Sequence, residues 1–376
     1  MSDNPANETM QKTGQWIGTF KGTIQGWAAL SIEAGARAFA TTMLQAPLPA
    51  ARFDLTLDIK GSAIHGFATN PKAWDDESQV LLPAGDYMKR HPGVVYFPSS
   101  FNVEAELRGN RIVGKWRGAT GEGSYDLQNR ADEQPREPDH KMSWGEFKDY
   151  VAELIRNGKH LLFRGQADRA WKLRTTLHRH GRYDLLRYDQ EDIRLLAPRV
   201  DSVCAQRYNL DDPADYGALL SLAQHHGFPT PLLDWTRSPY VAAFFALESV
   251  IKNATSSGYS RIFAFDGDAW MHDTPQVVSL ADPHPAITLR EFAAHNNPRH
   301  FPQQSVHVFS NVQDVESWVN LVEEGKERRY LTLIDIPWSE RRFAIRELDY
   351  MGVSAATLFP GLEGICRALK ERQFTS

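Results

Sequence analysis

The sequence predicts a two-part chain: an all-β N-terminal domain, built as an antiparallel sandwich or small barrel, followed by an α+β domain. Three observations predict it. Short segments alternate apolar and polar residues at period two up to about residue 127, a charged stretch carrying two prolines interrupts them, and a helix capping box then opens a region of mixed periodicity.

Residues 1–13 are polar and are expected to be disordered. The β domain is expected over 14–127. Gln15–Phe20, Ile24–Ile32, Phe53–Ile59, Phe101–Leu107 and Arg111–Trp116 read as strands, each burying one face. Arg108-Gly109-Asn110 between the last two is a hairpin turn signal. Glycines beside tryptophans at 14–16, 26–27 and 114–116 suit tight bends and a small aromatic core, or the wall of a ligand-holding barrel.

Residues 128–142, with Asp-Glu-Gln-Pro-Arg-Glu-Pro-Asp, have no apolar period and read as a linker. Ser143-Trp144-Gly145-Glu146 has the Ser-x-x-Glu form of a capping box, so the second domain is expected over 143–376. Phe147, Tyr150, Val151, Leu154 and Ile155 follow at helical spacing, and Asn157-Gly158 supplies the stop. Then come a strand at 159–164, a helix-rich segment at 171–207 and a helix at 215–226. Strand Leu232–Trp235, helix Ser238–Ile251, strand Arg261–Phe265, a loop-rich region to about 300, strand Tyr330–Ile336 and helix Ser339–Tyr350 complete the reading.

The 376 residues suffice for two cores. A net charge of −5 gives no support to a nucleic-acid surface. Two cysteines, Cys204 and Cys366, build neither a disulfide framework nor a cysteine-based zinc site. Met1–Pro5 lack a signal-type charge and apolar pattern, and no apolar run approaches the roughly 20 residues a bilayer needs. A cytoplasmic protein without membrane contact is expected. Walker, Gly-x-Gly-x-x-Gly, Gly-x-Ser-x-Gly and His-Glu-x-x-His motifs are absent.

Chemistry concentrates in two segments. Phe163-Arg164-Gly165-Gln166 ends one apolar strand, and Asp234-Trp235-Thr236-Arg237-Ser238-Pro239 ends another and enters a helix. Serine at the N-cap and proline at the first helical position favour that helix start, whose free N–H groups suit an anion. Arg164 on a buried strand needs a partner, either the carboxylate of Asp234 or a ligand phosphate, and Gly165 would let a ligand approach the backbone. His225-His226-Gly227 reads as a helix C-terminus, and no metal is expected. The arginines at 169, 174, 179, 182, 187 and 194, diluted by carboxylates, read as a solvated face.

Residues 143–371 resemble the FRG family. The resemblance rests on Leu162–Gln166, on Gln224–Pro239 with Ala242–Ala246 behind it, on Asn297-Pro298-Arg299 through Gln304, and on Leu348–Val353 with Thr357–Gly364. It implies a mixed sheet distantly similar to the ADP-ribosyltransferase fold, NAD as substrate, and a place in bacterial defence against phage or in a toxin system. By position Arg164 would bind NAD, Thr236 and Ser238 would stand in the second motif, and Gly165, Gln166, His226, Asp234, Trp235 and Arg237 would line the site. Trp235 would stack on a base. The late glutamate would be Glu363, with Glu327 the other choice. The sequence departs from the family's relatives in having Asp234–Ser238 where Ser-Thr-Ser is usual.

The leading expectation is therefore an ADP-ribosyltransferase-like enzyme acting on a macromolecular acceptor, protein or nucleic acid, with the β domain binding a trigger or partner. A non-catalytic nucleotide-binding or partner-binding sensor is the alternative, and a nuclease or hydrolase using His225, His226 and Asp234 is the third reading.

Overall fold

The computed structural model describes residues 13–374 apart from 36, 45–47, 94–97, 132, 205–206, 251–257, 278 and 293–297. Of the stretch expected to be disordered, residues 1–12 lie outside the described residues, as do Ile251 and Asn297.

Nine strands form the N-terminal sheet: β1 (Gly14–Gly22), β2 (Gly26–Glu33), β3 (Arg37–Leu44), β4 (Ala51–Lys60), β5 (Ala63–Asp75), β6 (Val80–Pro83), β7 (Phe101–Arg108), β8 (Arg111–Gly118) and β9 (Gly121–Gln128). Their order is β4-β3-β2-β1-β9-β8-β7-β5-β6, and β4 also pairs with β5. Eight strands thus close on themselves, with β6 attached to the far part of β5. Of the two architectures expected, the molecule is the barrel. Trp16, Phe20, Leu30, Phe53, Ile112 and Leu127 belong to its apolar interior. Glycines let the wall curve: a Cβ on Gly18 would lie 2.0 Å from the carbonyl oxygen of Asp126. The β7–β8 hairpin turns through Gly109 at φ +60°, as its sequence predicts.

The second sheet has seven strands: β10 (His140–Lys141), β11 (Leu162–Gln166), β12 (Leu232–Thr236), β13 (Tyr259–Phe265), β14 (Ile287–Arg290), β15 (Ser305–Ser310) and β16 (Leu331–Pro337). The order is β10-β16-β13-β11-β12-β15-β14, antiparallel except for the parallel β10–β16 pair, so the sheet is mixed. Helices of eight residues or more are α1 (Trp144–Arg156), α2 (Arg194–Asp201), α3 (Pro213–His225), α4 (Pro239–Glu248), α5 (Val315–Lys326), α6 (Arg341–Tyr350) and α7 (Leu362–Phe374). Both halves of the capping box at Ser143 and Glu146 are present at the start of α1. One face of the sheet buries Phe163 and Ile262 against α1, α4 and α6, and the other buries Trp235 and Phe263 with Leu173 and α5. β15 and α5 lie where no element was expected.

The segment read as a linker is not free chain. Its end forms β10, Asp139 Oδ2 accepts from the N–H of Leu333 at 2.8 Å, and Arg136 Nη1 donates to Glu323 at 3.3 Å. Charged residues without an apolar period are here neutralised along the edge of the second sheet. The barrel is gripped as well. Arg52 on β4 forms two hydrogen bonds with Asp184, at 2.9 and 2.6 Å, and Glu33 on β2 accepts from the N–H groups of Tyr183 and Asp184. Among the described residues no helix is long and apolar enough to cross a membrane.

Candidate functional site

β11 and β12 are neighbours joined at one pair, Phe163 opposite Thr236. Beyond that pair the two strands part, and the gap opens into a cleft of about 1030 Å³. Arg164 alternates with Phe163, so it falls on the face of Leu162 and Phe263. Its Nη1 reaches across the gap and donates to the carbonyl oxygen of Asp234 at 2.5 Å, while its Nε is buried without a partner. The ion pair weighed from sequence is therefore a bond to the Asp234 backbone. The Asp234 carboxylate instead accepts from Gln224 Nε2 at 2.5 Å and lies 3.6 Å from His307 Nε2.

Cations crowd this cleft. Arg174, Arg179, Lys172 and Arg299 line it together with Arg164. Lys172 pairs with Asp314 at 3.0 Å and Arg299 with Glu363 at 2.6 Å. Arg179 bonds only uncharged oxygens, the carbonyl of Arg174 and Oγ1 of Thr176. Among the described residues, neither Arg164 nor Arg179 has a carboxylate oxygen within 4.0 Å. Burial pushes both guanidinium groups below their ordinary pKa, and for Arg164 the charge of Arg179 adds to the effect while Asp234 opposes it. Such a pair favours a bound anion, which would relieve the mutual repulsion. Gln166 is buried in the wall with Oε1 unpartnered, and Trp171 stands 51% exposed at the mouth.

Several expected site residues take other roles. Gly165 lines the cleft, yet its lack of a side chain serves packing: a Cβ would lie 1.9 Å from the carbonyl oxygen of Ala242 in α4. Trp235 forms part of the wall but is 3% exposed and packs against Phe265, so its ring faces are unavailable for stacking. Thr236 Oγ1 donates to the carbonyl of Gln303 at 2.6 Å and accepts from the N–H of Ser238 at 3.0 Å, which turns the chain toward α4. Ser238 caps α4 by accepting from the N–H of Val241, as its sequence predicts. However, Ser238 and Arg237 line a second hollow of about 650 Å³, with Tyr240 and Asp268. The N-terminus of α4 thus does not open beside Arg164, and the cleft meets that helix at Ala242 and Phe245. Arg237 pairs with Glu291.

His225 lines the cleft, whereas His226, at the end of α3, does not. Neither late glutamate lines it either. Glu363 is held at its edge by Arg299 and Arg367, and Glu327 sits in left-handed backbone just after α5. Arg299 and Gln303 do line the cleft, and Phe359 lies beneath the Arg299 guanidinium. Among the described residues no group of three His, Cys, Asp or Glu side chains is placed to hold a metal.

Sequence reading missed Trp171, Ser221 and His307, and it placed Arg174 and Arg179 on a solvated face. His307 is opposite Asp234 in the β12–β15 register, and its Nε2 lies 3.1 Å from Ser221 Oγ. Burial holds its pKa down, while Asp234 pulls it up. Finding it required β15, whose Ser305–Ser310 run buries all but its first residue and so shows little alternation.

Residues 159–255 match the FRG domain. The C-terminal part of this chain carries an FRG domain. No curated protein and no solved structure matches the chain. The FRG match contains both strands that part to form the cleft, together with Arg164, Arg174 and Arg179.

Beneath the FRG cleft wall, His178 is buried with both ring nitrogens unpartnered, its ring stacked on Tyr183. Burial, then the charge of Arg174, pushes its pKa from 6.5 down to about 3. The unfolded chain therefore binds a proton that the folded chain refuses, and folding stability falls as pH drops from about 6.5 toward 3. Urea midpoints measured between pH 7 and pH 5 are expected to decline in the wild type and to decline less in His178→Phe. Equal slopes would assign the acid sensitivity to other groups.

Proposed function

We propose that the FRG cleft binds a phosphate-bearing dinucleotide, NAD, and that the protein transfers its ADP-ribose to a macromolecular acceptor as an effector of bacterial defence or of a toxin system. One observation carries the reading: two guanidinium groups, Arg164 and Arg179, line a cleft of about 1030 Å³ without a carboxylate partner among the described residues. A diphosphate supplies the missing charge and accepts several charge-assisted hydrogen bonds. Trp171 offers an exposed indole on which a base can stack.

In such a transfer the bond between the ribosyl carbon and nicotinamide breaks, and nicotinamide leaves with the electron pair. The acceptor oxygen or nitrogen forms the new bond and loses its proton. Asp234, oriented by Gln224 and flanked by His307, is the carboxylate adjoining Arg164 and is suited to receive that proton. A role for Glu363 at the ribose would require it to leave Arg299.

The second reading is a non-catalytic nucleotide sensor. It is favoured by the position of Glu363 and Glu327 outside the cleft lining. Incubation with radiolabelled NAD and cell extract separates the two. Nicotinamide release and labelled macromolecules are expected from the wild type, with loss of both in Arg164→Ala and Asp234→Asn. NAD binding without turnover would leave the sensor reading, and absence of both binding and turnover would remove both.

A further inference from the structure

The barrel has an interior cavity of its own, remote in character from the FRG cleft. Its volume is about 110 Å³, and its wall is almost wholly apolar, with Phe20, Leu30, Leu44, Phe53, Ile64 and Phe101 among the lining side chains. It lies toward the end where β1 turns into β2 and β8 into β9, since Ile24, Leu44, Phe101 and Trp116 are found there. Eight strands enclose an interior that side chains either fill or leave open for one small ligand. Here they do not fill it.

Among the described residues, Thr42, Trp116 and Tyr125 carry the polar side-chain atoms of the wall. Trp116 lies across Gly123, where a Cβ would come within 2.6 Å of the indole Nε1, so that donor is sealed against the barrel wall and is not offered to the cavity. Tyr125 also lines the cavity, and its hydroxyl makes no hydrogen bond among the described residues. Burial raises the pKa of that hydroxyl, so it stays a neutral donor. So apolar a cavity gives a water few of the roughly two to four polar partners it needs, whereas an apolar body with a single carbonyl turned to the Tyr125 hydroxyl is satisfied there. An anion is unsuited, because among the described residues no cation lines the space to offset its desolvation.

We infer that the barrel is a binding site for a small, neutral, mostly apolar molecule bearing one hydrogen-bond acceptor, a ring or short acyl chain of about benzene size, which points its acceptor at the Tyr125 hydroxyl. The site is independent of the nucleotide reading of the FRG cleft.

The test uses the full chain and two probes of similar size, cyclohexanone with one acceptor and toluene with none. Ligand-observed NMR titration is expected to show saturable binding of cyclohexanone, tighter than toluene. Ala40→Leu and Ala28→Leu each extend a side chain into the cavity and are expected to weaken binding at least about tenfold, through steric exclusion. Using two filling variants guards against one of them misfolding, and circular dichroism verifies the fold of each. Tyr125→Phe retains an aromatic ring without the donor and is expected to cut the preference for cyclohexanone over toluene by about two- to tenfold. Absence of saturable binding of either probe, or unchanged binding in a folded cavity-filling variant, overturns the inference.

Discussion

Arg164→Ala is expected to weaken binding of ADP-ribose about 10- to 100-fold, the equivalent of one hydrogen-bonded charge at roughly 1.5–3 kcal/mol. ADP-ribose is the appropriate probe because it carries the diphosphate and cannot undergo loss of nicotinamide. The effect follows from where the guanidinium stands: it lines the cleft, with its Nη1 tied to the Asp234 carbonyl across the gap between β11 and β12. Arg179→Ala is expected to cost less, because that side chain is more exposed and water replaces part of its role. Isothermal titration calorimetry on each folded variant measures both. Wild-type affinity in Arg164→Ala would refute the assignment of the diphosphate to this cleft.

The second large effect concerns the sheet that holds the cleft open. Asp335→Ala is expected to destabilise the fold by about 3–5 kcal/mol, seen as a shift of the urea midpoint at constant slope. Asp335 on β16 faces Arg261 on β13, with Nε to Oδ1 at 2.7 Å and Nη2 to Oδ2 at 3.1 Å, and both side chains are fully buried. Removing the carboxylate leaves a buried guanidinium whose remaining close partner is the carbonyl of Arg136. The double variant Arg261→Met/Asp335→Leu removes both charges and is expected to recover most of the loss. If Asp335→Ala shifted the midpoint by less than the equivalent of about 1 kcal/mol, the pair would count as a weak one.

Much of the architecture was legible because it depends on near neighbours. Period-two alternation in Phe101–Leu107 and Arg111–Trp116 anticipates β7 and β8, and Gly109 anticipates their turn. Ser143 with Glu146, and Ser238 with Pro239, announce α1 and α4 through bonds spanning three residues. β15 escaped because its central residues are all buried, and α5 followed it unread. The segment 128–142 reads as a linker because the partners that fix Arg136 and Asp139 to the second sheet, Glu323, Arg329 and Leu333, lie far along the chain.

The candidate site divides in the same way. Arg164, Gln166, Asp234, Arg299 and Gln303 were legible as polar residues at strand ends or in segments resembling FRG proteins, and all of them line the cleft. Ser238 had the right local role and the wrong cavity, since a capping bond says nothing about which side of the sheet the helix end faces.

Sequence alone determined those strands, turns and helix starts that alternation and capping mark, and the arginine and aspartate that meet where β11 and β12 part. Tertiary structure decided that the first sheet closes, that Arg164 holds the backbone of Asp234 and leaves its carboxylate to Gln224 and His307, and that Arg179 shares the cleft. The reason is range: alternation and capping act over two to four residues, whereas closure, strand splay and charge pairing depend on contacts between segments tens to hundreds of residues apart.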